Sequence, residues 1–433
     1  MKRAVFVNSN SGLDTIRLAL MGNNFTEQTR LMLEKIRQTL MEPPLGNDRH
    51  LDGLRAMAAL IIVFFHCFLF VGGFSENPDV KKLHFLLPFF NGFWTGIDIF
   101  FVLSGFLIGR ILIKALAEQQ TLPYRKFIIR RIFRIIPAYY CLLTVTLLAV
   151  IPLELPFSTF FFGTPDPALL RARSITNFLF ISNYLYPGES ANPFPWSWSL
   201  CVEEHFYLFA PFFLWAVFVI RSSALRLVIL VTAVLLPLAG RVWQYFFCQP
   251  VHLLNGFYYY SHNHFDEIFI GVLTAYLVVV YPGQMKRFVE LIGRGVWMAA
   301  VSLIGVVWLC GGLFSDGFFN VALQFFFMAI GVALLIINGM FRKDRMTAFL
   351  SHRLWYPFAR ISYGAYLIHP LIIYLWLDAY IHYHGAVGMG WPVFLLFLST
   401  VWGLSSVLAA FLFYWMERPL IRVGRSLTQT PPR

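Results

Sequence analysis

Apolar runs of 17–24 residues recur along the chain from residue 54 onward, separated by shorter polar segments, at about 54–73, 93–113, 134–152, 203–220, 225–243, 265–281, 295–313, 320–339, 363–381 and 392–415. About 20 apolar residues at a helical rise of 1.5 Å cross a hydrocarbon core roughly 30 Å thick. The pattern therefore predicts an all-α, polytopic membrane protein with about ten transmembrane helices. Polar positions inside these runs are few, and at that depth each ionisable group is a functional candidate.

Composition agrees. With 58% hydrophobic and 13% charged residues in 433 positions, the chain carries more apolar surface than a soluble domain could bury. The net charge of +12 does not point to nucleic acid, because the basic residues sit in short clusters between apolar runs and act as topology signals. Starting the count from a cytoplasmic N-terminus puts 27 of the 34 Lys and Arg on the inside and only Lys81, Lys82, Arg171, Arg173 and Arg241 in outside loops. That bias places both termini in the cytoplasm. The expected organisation is a cytoplasmic, partly amphipathic segment over 1–48, a membrane domain over 49–422 and a short cytoplasmic tail over 423–433.

Three further features shape this picture. The first 48 residues lack the short apolar stretch and small-residue cleavage site of a secretory signal, so the first span is expected to direct membrane delivery. Within that segment Leu18, Leu20, Met21, Leu31, Met32, Leu33, Ile36 and Leu40 alternate with basic residues, a pattern suited to an anionic inner leaflet as well as to a solvated helix. The five cysteines are scattered and suggest neither a disulfide framework nor a metal site. One outside loop, about 153–200, is long and rich in Pro, Ser, Asn and aromatics, and loops of that length usually carry a function.

Candidate chemistry gathers in a few motifs. In LDGLRAMAALIIVFFHC, Asp52 suits a helix cap, Arg55 faces the interface or an anionic ligand, and His66, eleven residues on, lies roughly 16 Å deeper, near the membrane midplane. GIDIFFVLSGFLIGR carries Asp98 near one end, Ser104 and Gly105 in the middle and Arg110 near the other end. Small residues there let helices approach closely. The next inside loop holds Arg125, Lys126, Arg130, Arg131 and Arg134, and the i, i+3 spacing of Arg131 and Arg134 aligns two guanidinium groups on one helix face, as phosphate recognition requires.

On the outside, PFPWSWSLCVEEHFY places Ser197 or Ser199 where a helix cap would stand, followed by Glu203, Glu204 and His205. Two carboxylates and an imidazole entering an apolar segment exceed what a cap needs. YYYSHNHFDEIFIG adds His262, His264, Asp266 and Glu267; no closed ligand pattern accompanies them, so no metal site is assigned and a polar acceptor entrance is expected. Trp94, Phe194, Trp196, Trp198 and Tyr258–Tyr260 suit either sugar stacking or an interfacial belt. Ser362, Tyr363, Tyr366 and His369 open the ninth span, with Tyr366 and His369 on one face, and Glu417 stands in YWMERP as a membrane-edge stop or a site residue.

In this order, LDGLR with its Arg55–His66 spacing, IDIFFVLSGFLIGR, RRIFRIIPAYY, WSLCVEEHFYL, ISYGAYLIHP and YWMERP resemble the acyltransferase-3 family of membrane acyltransferases over about residues 50–420. The resemblance implies an O-acyltransferase of the bacterial cytoplasmic membrane that moves a short acyl group, acetyl first of all, from cytosolic acyl-CoA to a hydroxyl of a lipid-linked, exported or small-molecule carbohydrate acceptor. The family's essential arginine and first-helix histidine fall on Arg55 and His66, and its glutamate after WS falls on Glu203 or Glu204. Ala56 stands where the common family form has Gly. The chain ends at Arg433, so the extra esterase-like domain of some relatives is expected to be absent.

Acyl transfer from a thioester to an alcohol needs a base, donors for the oxyanion and exclusion of water. The expected division of labour makes His66 the base, assigns donor phosphates to Arg55, Arg110, Arg130, Arg131 and Arg134, and gives the acceptor side to Glu203, Glu204, Asp98, Trp196, Trp198, His262 and Asp266. A covalent route through His66 or Ser104 stands beside direct transfer. Acyl-CoA is then a cosubstrate, and no further cofactor is called for. The rival reading is a transporter or flippase of a lipid-linked sugar that performs no chemistry, using the same intramembrane charges; the two halves show no inverted repeat in its favour.

Overall fold

Within the described residues each apolar run is mostly helical. The computed structural model describes residues 29–41, 48–72, 90, 92–119, 121–150, 167–185, 192, 194–248, 257–312, 315–384 and 389–429. Two units divide the chain, Met1–Pro43 and Pro44–Arg433. In the first, residues 29–41 form a helix that exposes Leu31, Leu33 and Met41 together with Arg30, Lys35 and Arg37. The apolar positions Leu18, Leu20 and Met21, like Lys81 and Lys82, lie outside the described residues.

The second unit contains α1 (Arg49–Gly72), α2 (Gly96–Gln119), α3 (Tyr124–Val145), α4 (Pro167–Phe178), α5 (Trp198–Val219), α6 (Ser223–Phe247), α7 (Phe265–Val280), α8 (Pro282–Ile292), α9 (Gly295–Cys310), α10 (Gln324–Phe341), α11 (Arg345–Leu350), α12 (Trp355–His384), α13 (Trp391–Leu412) and α14 (Arg418–Ser426). Among the described residues eight helices are individually long and apolar enough to cross a bilayer. A ninth passes only as the pair α7 and α8, bent by 103°, and α9 is a shorter apolar helix of 16 residues. The expected span over 265–281 ends at that bend because Tyr281 breaks the helix and Pro282, at the first position of α8, has no amide to continue the α7 ladder. The last span runs on through the wide turn Phe413–Glu417 into α14.

Glycine sets the closest helix contact. A Cβ on Gly105 of α2 would run into the Ile268 carbonyl of α7, and one on Gly271 of α7 into the Val102 carbonyl of α2. Backbones meet there directly, so the packing surplus that drives association inside a lipid phase comes from van der Waals contact that any side chain would abolish.

The ends of the helices sort into two groups that match the sequence assignment of inside and outside. On one side Asp48 pairs with Arg110 at 2.5 Å, Arg130 donates to Thr428 at 2.9 Å, and Gly339 lies against His50. On the other, Asn183 donates to Ser261 at 2.9 Å, Trp308 donates to Thr95 at 3.0 Å, and Tyr366 donates to the Trp196 carbonyl at 2.7 Å.

Part of the long 153–200 loop is described, and it is structured. Tyr139 and Tyr140 of α3 donate to the carbonyls of Asn177 and Phe178 at 3.1 and 2.6 Å, and the buried Asn177 amide bonds Asn192 and Ser197 at 3.1 and 3.0 Å. This network sets the start of α5. Ser197 occupies the N-cap position of α5 but makes no capping bond, since its hydroxyl receives Asn177 instead. Asp52 does not cap α1 either; the helix begins at Arg49, and Asp52 pairs with Arg55 one turn on at 3.6 Å.

Candidate active site

Five helices line a cleft of about 110 Å³. Arg55 enters from α1, Ser104 from α2, Arg131 and Arg134 from α3, Ser199, Glu203 and Tyr207 from α5, and Ser362, Tyr363 and Tyr366 from α12. Helical spacing explains each set. Ser199, Glu203 and Tyr207 recur at i, i+4 and i+8, and Arg131 and Arg134 at i, i+3, so each helix turns one polar stripe inward while Ile97, Phe100, Leu103 and Leu107 of α2 supply an apolar wall.

Charge and hydroxyl groups are segregated within the cleft. Arg55, Arg131 and Arg134 belong to the ends assigned inside; the Arg131 guanidinium lies 5.3 Å from the Tyr207 ring centroid and 5.6 Å from that of Phe127, a stacking that fixes its orientation. Deeper, the Ser104 and Tyr207 hydroxyls are 2.6 Å apart and both bond the Glu203 carboxylate. Tyr363 donates to the Ile135 carbonyl at 2.8 Å. At the far end, Ser199 is 2.7 Å from the Tyr366 hydroxyl, whose own proton goes to the Trp196 carbonyl, so Ser199 is the donor between them.

His66 does not line this cleft. It meets His369 of α12, with His66 Nδ1 and His369 Nε2 3.0 Å apart. The network assigns the tautomers. His369 Nδ1 faces the Ala365 carbonyl at 3.1 Å and the Tyr366 carbonyl, which Pro370 leaves without its usual helical amide. Facing only acceptors, that nitrogen must carry the proton, so His369 Nε2 accepts and His66 Nδ1 donates. The Ile62 carbonyl one turn back is a second acceptor for His66. The lone pair of His66 is thereby held on Nε2. Tyr366 joins the two groups: it lines the cleft, and its ring centroid is 5.8 Å from that of His369.

The five-arginine donor set divides. Arg55, Arg131 and Arg134 converge, but Arg110 is bound to Asp48 at 2.5 Å and Arg130 is exposed and bonded to Thr428. Neither lines the cleft. Glu203 lines it and Glu204 does not. Glu417 is buried rather than a membrane-edge stop, with its Oε1 3.3 Å from where a Cβ on Gly364 would stand, behind Tyr363.

Most of the expected acceptor entrance is sealed core. Asp98, His264, Asp266 and Glu267 are fully buried. Asp266 is held bidentate by Arg241 at 2.8 and 2.5 Å, and the same guanidinium bonds the carbonyls of Asn263 and Ala322. His264 bonds Glu267 at 2.7 Å and the Tyr258 carbonyl at 2.5 Å. One potential ligand atom from each of Asp98, His264 and Glu267 falls within a 4.8 Å cluster. Both His264 nitrogens are engaged within this segment, and the Asp98 carboxylate of α2 is buried beside them. Trp196 and Trp198 are buried as well, Trp198 against the rings of Tyr258 and His264. Of that set only His262 is exposed, stacked on Tyr184 and Tyr260.

Tyr207 was not among the residues expected from sequence, although its i+4 offset from Glu203 is a usable signal. The pairing of Ser199 with Tyr366 spans 167 residues and left none.

The model of the family described as "Acyltransferase domain" matches residues 48–415. The peptidoglycan O-acetyltransferase OatA of Listeria monocytogenes is 29% identical over 356 residues, 75% of this chain and 49% of that protein. "Putative peptidoglycan O-acetyltransferase YrhL" of Bacillus subtilis is 31% identical over 246 residues, 55% of this chain and 33% of that protein. "Putative O-acetyltransferase SACOL0978" of Staphylococcus aureus is 22% identical over 390 residues, 86% of this chain and 57% of that protein. The chain thus matches from a third to little more than half the length of these relatives. No solved structure matches it significantly. A family match across most of the chain, over helices that converge on one arginine-lined cleft, means that this protein belongs to the acyltransferase-3 family.

Proposed function

We propose that the protein is an O-acetyltransferase that takes acetyl from a CoA thioester at the arginine end of the cleft and transfers it to a hydroxyl of a carbohydrate of the cell envelope, peptidoglycan being the acceptor named for its relatives. The His66–His369 hydrogen bond carries the reading, since a transporter has no need of an imidazole locked in one tautomer. Arg55, Arg131 and Arg134 suit the donor's phosphates, to which guanidinium groups bind through paired, charge-assisted hydrogen bonds. The apolar α2 wall suits the donor's uncharged arm and keeps water from the thioester. His66, on the same helix as Arg55 but roughly 16 Å deeper, lies beyond the cleft lining, next to its far end through His369 and Tyr366.

In the chemical step His66 Nε2 takes the proton of the acceptor hydroxyl as its oxygen bonds to the thioester carbonyl carbon. The carbon–sulfur bond of the resulting oxyanion then breaks, and the sulfur leaves with the proton as free thiol. Ser199 and Tyr366 stand at the end of the cleft next to the histidine pair, and Glu203, bonded to Ser104 and Tyr207, orients the deeper cleft. The donor enters from the cytoplasmic face in this scheme and the acceptor from the opposite one.

The test is release of free CoA from radiolabelled acetyl-CoA by purified protein in the presence of a soluble glycan acceptor such as a muropeptide. Acceptor-dependent release with label on the glycan is expected, abolished in His66→Ala. Release equal to a protein-free control, in preparations that bind CoA, would sink the enzyme reading in favour of transport.

A further inference from the structure

A second basic hollow lies away from the cleft. Because α8 leaves α7 at 103°, it cannot continue the span, and its side chains sort by polarity: Val289 is buried, Phe288, Leu291 and Ile292 are 40, 84 and 46% exposed, and Lys286 and Arg287 point to solvent. Exposed apolar and basic residues on one short helix at the end of a span are the signature of an interfacial helix. Gly293, at φ +62°, turns the chain from α8 into Arg294 and α9.

Between that turn and the connection from α10 to α11 is a hollow of about 590 Å³, whose walls include Arg294, Trp297, Arg342, Lys343, Arg345 and Phe349. One carboxylate lines it, Asp344, and that group is already committed. It accepts the Thr347 amide at 2.9 Å and the Asn338 side chain at 3.2 Å and pairs with Arg342 at 3.2 Å. Arg294, Lys343 and Arg345 are exposed and form no ion pair among the described residues. The hollow sits at the same end of the helices as Arg55, since Gly339 of α10 meets His50 and Leu350 of α11 meets Gly53.

We propose that this hollow binds the phosphate headgroup of an anionic phospholipid from the surrounding leaflet. Three unneutralised cations fit a phosphodiester, and the wall beside them is what a lipid and not a soluble anion would use: Trp297 and Phe349, the latter 50% exposed, line the hollow, and Met298 next to Trp297 in sequence is exposed as well. Basic pockets between spans on the positively charged side of a membrane protein are the recurrent setting for such headgroups, each cation adding about 1 kcal/mol.

The experiment uses the full chain in detergent, titrated with phosphatidylglycerol, phosphatidylcholine, inorganic phosphate or 3′-phosphoadenosine 5′-diphosphate and read by native mass spectrometry. One saturable phosphatidylglycerol adduct is expected, with none from phosphatidylcholine at the same concentration. Lys343→Gln/Arg345→Gln should weaken it about 30-fold, the conversion of about 1 kcal/mol for each cation at tenfold per 1.4 kcal/mol. Arg294→Gln, across the hollow, should weaken it about fivefold on the same scale and decides the matter if the double variant misfolds. Undiminished phosphatidylglycerol binding in the folded variants would overturn the proposal. So would displacement of the lipid by the nucleotide or by phosphate at equal concentration, which would make the hollow a site for soluble anions.

Discussion

His369 Nε2 lies 3.0 Å from His66 Nδ1, across an interface between two helices 303 residues apart in sequence. The bond runs in one direction only, because His369 has its own proton turned toward the Ala365 and Tyr366 carbonyls. The base of the proposed transfer needs its lone pair aimed and its tautomer fixed, and a hydrogen bond from His66 Nδ1 to His369 would supply both.

His369 should therefore behave as a positioning residue. His369→Phe is expected to lower kcat by about 10- to 100-fold, the usual cost of losing the partner that orients a working imidazole, with KM for the donor nearly unchanged. His369→Gln retains an acceptor and should recover part of the loss. Steady-state kinetics on folded variants check this; equal losses in both, or a change confined to KM, would mean that packing alone is at stake.

Adjacent arginines should differ sharply. Arg131 lines the cleft, stacked on Tyr207, whereas Arg130 is bonded to Thr428 at the surface. Arg131→Gln should weaken CoA binding about 10- to 100-fold, from the 1.5–3 kcal/mol of a charged hydrogen bond, and Arg130→Gln should leave it within about twofold. Calorimetric titration with CoA separates them, and similar losses in both would return the donor phosphates to a diffuse basic surface.

That contrast marks what the sequence can and cannot carry. The apolar runs predicted the eight helices that are long and apolar enough to cross a bilayer among the described residues, since that is a local property of length and composition, but gave α7 and the shorter α9 the same weight; the spacing of Arg131 and Arg134 picked two of the three cleft arginines. Basic-residue counting then added Arg110 and Arg130, because topology bias records which side a residue lies on and not which face of its helix: Arg130 is one residue, about 100° of rotation, away from Arg131. Asp98 and Asp266 were read as an acceptor entrance for a related reason. The Asp266 carboxylate looks functional until its cation is found, and Arg241 stands on another helix 25 residues before it; Asp98 is buried beside His264 and Glu267 without such a pair among the described residues. The span predicted over 265–281 stops where Pro282 starts the next helix, but the 103° angle between the two helices is a tertiary property that the residues do not spell out.

Close backbone contact at α2 and α7 predicts a stability difference between two glycines. Gly105→Ala would press a methyl group into the Ile268 carbonyl, at a cost of about 1–3 kcal/mol for overpacking, while Gly240→Ala in α6 meets nothing within 4 Å and should gain about 0.4–1 kcal/mol from reduced chain freedom. Thermal denaturation in one detergent should show a lower midpoint for the first and an unchanged or higher one for the second. The reverse order would contradict the contact.

The buried ion pair of Arg241 and Asp266 offers the sharpest test of the sealed-core reading. Both side chains are 1% exposed or less, and the pair is bidentate at 2.8 and 2.5 Å. Removing the cation in Arg241→Met leaves a carboxylate uncompensated away from water, a change that typically costs about 3–5 kcal/mol. Adding Asp266→Leu removes the stranded charge, so Arg241→Met/Asp266→Leu should be more stable than Arg241→Met alone, even though the Asn263 and Ala322 carbonyls still lose their donor. Midpoints of thermal unfolding for the wild type, both single variants and the double complete the cycle. If Asp266 instead opened to an aqueous acceptor entrance, water would solvate its charge in Arg241→Met. The single variant would then lose little, the two substitutions would add, and the acidic cluster would return to the functional surface.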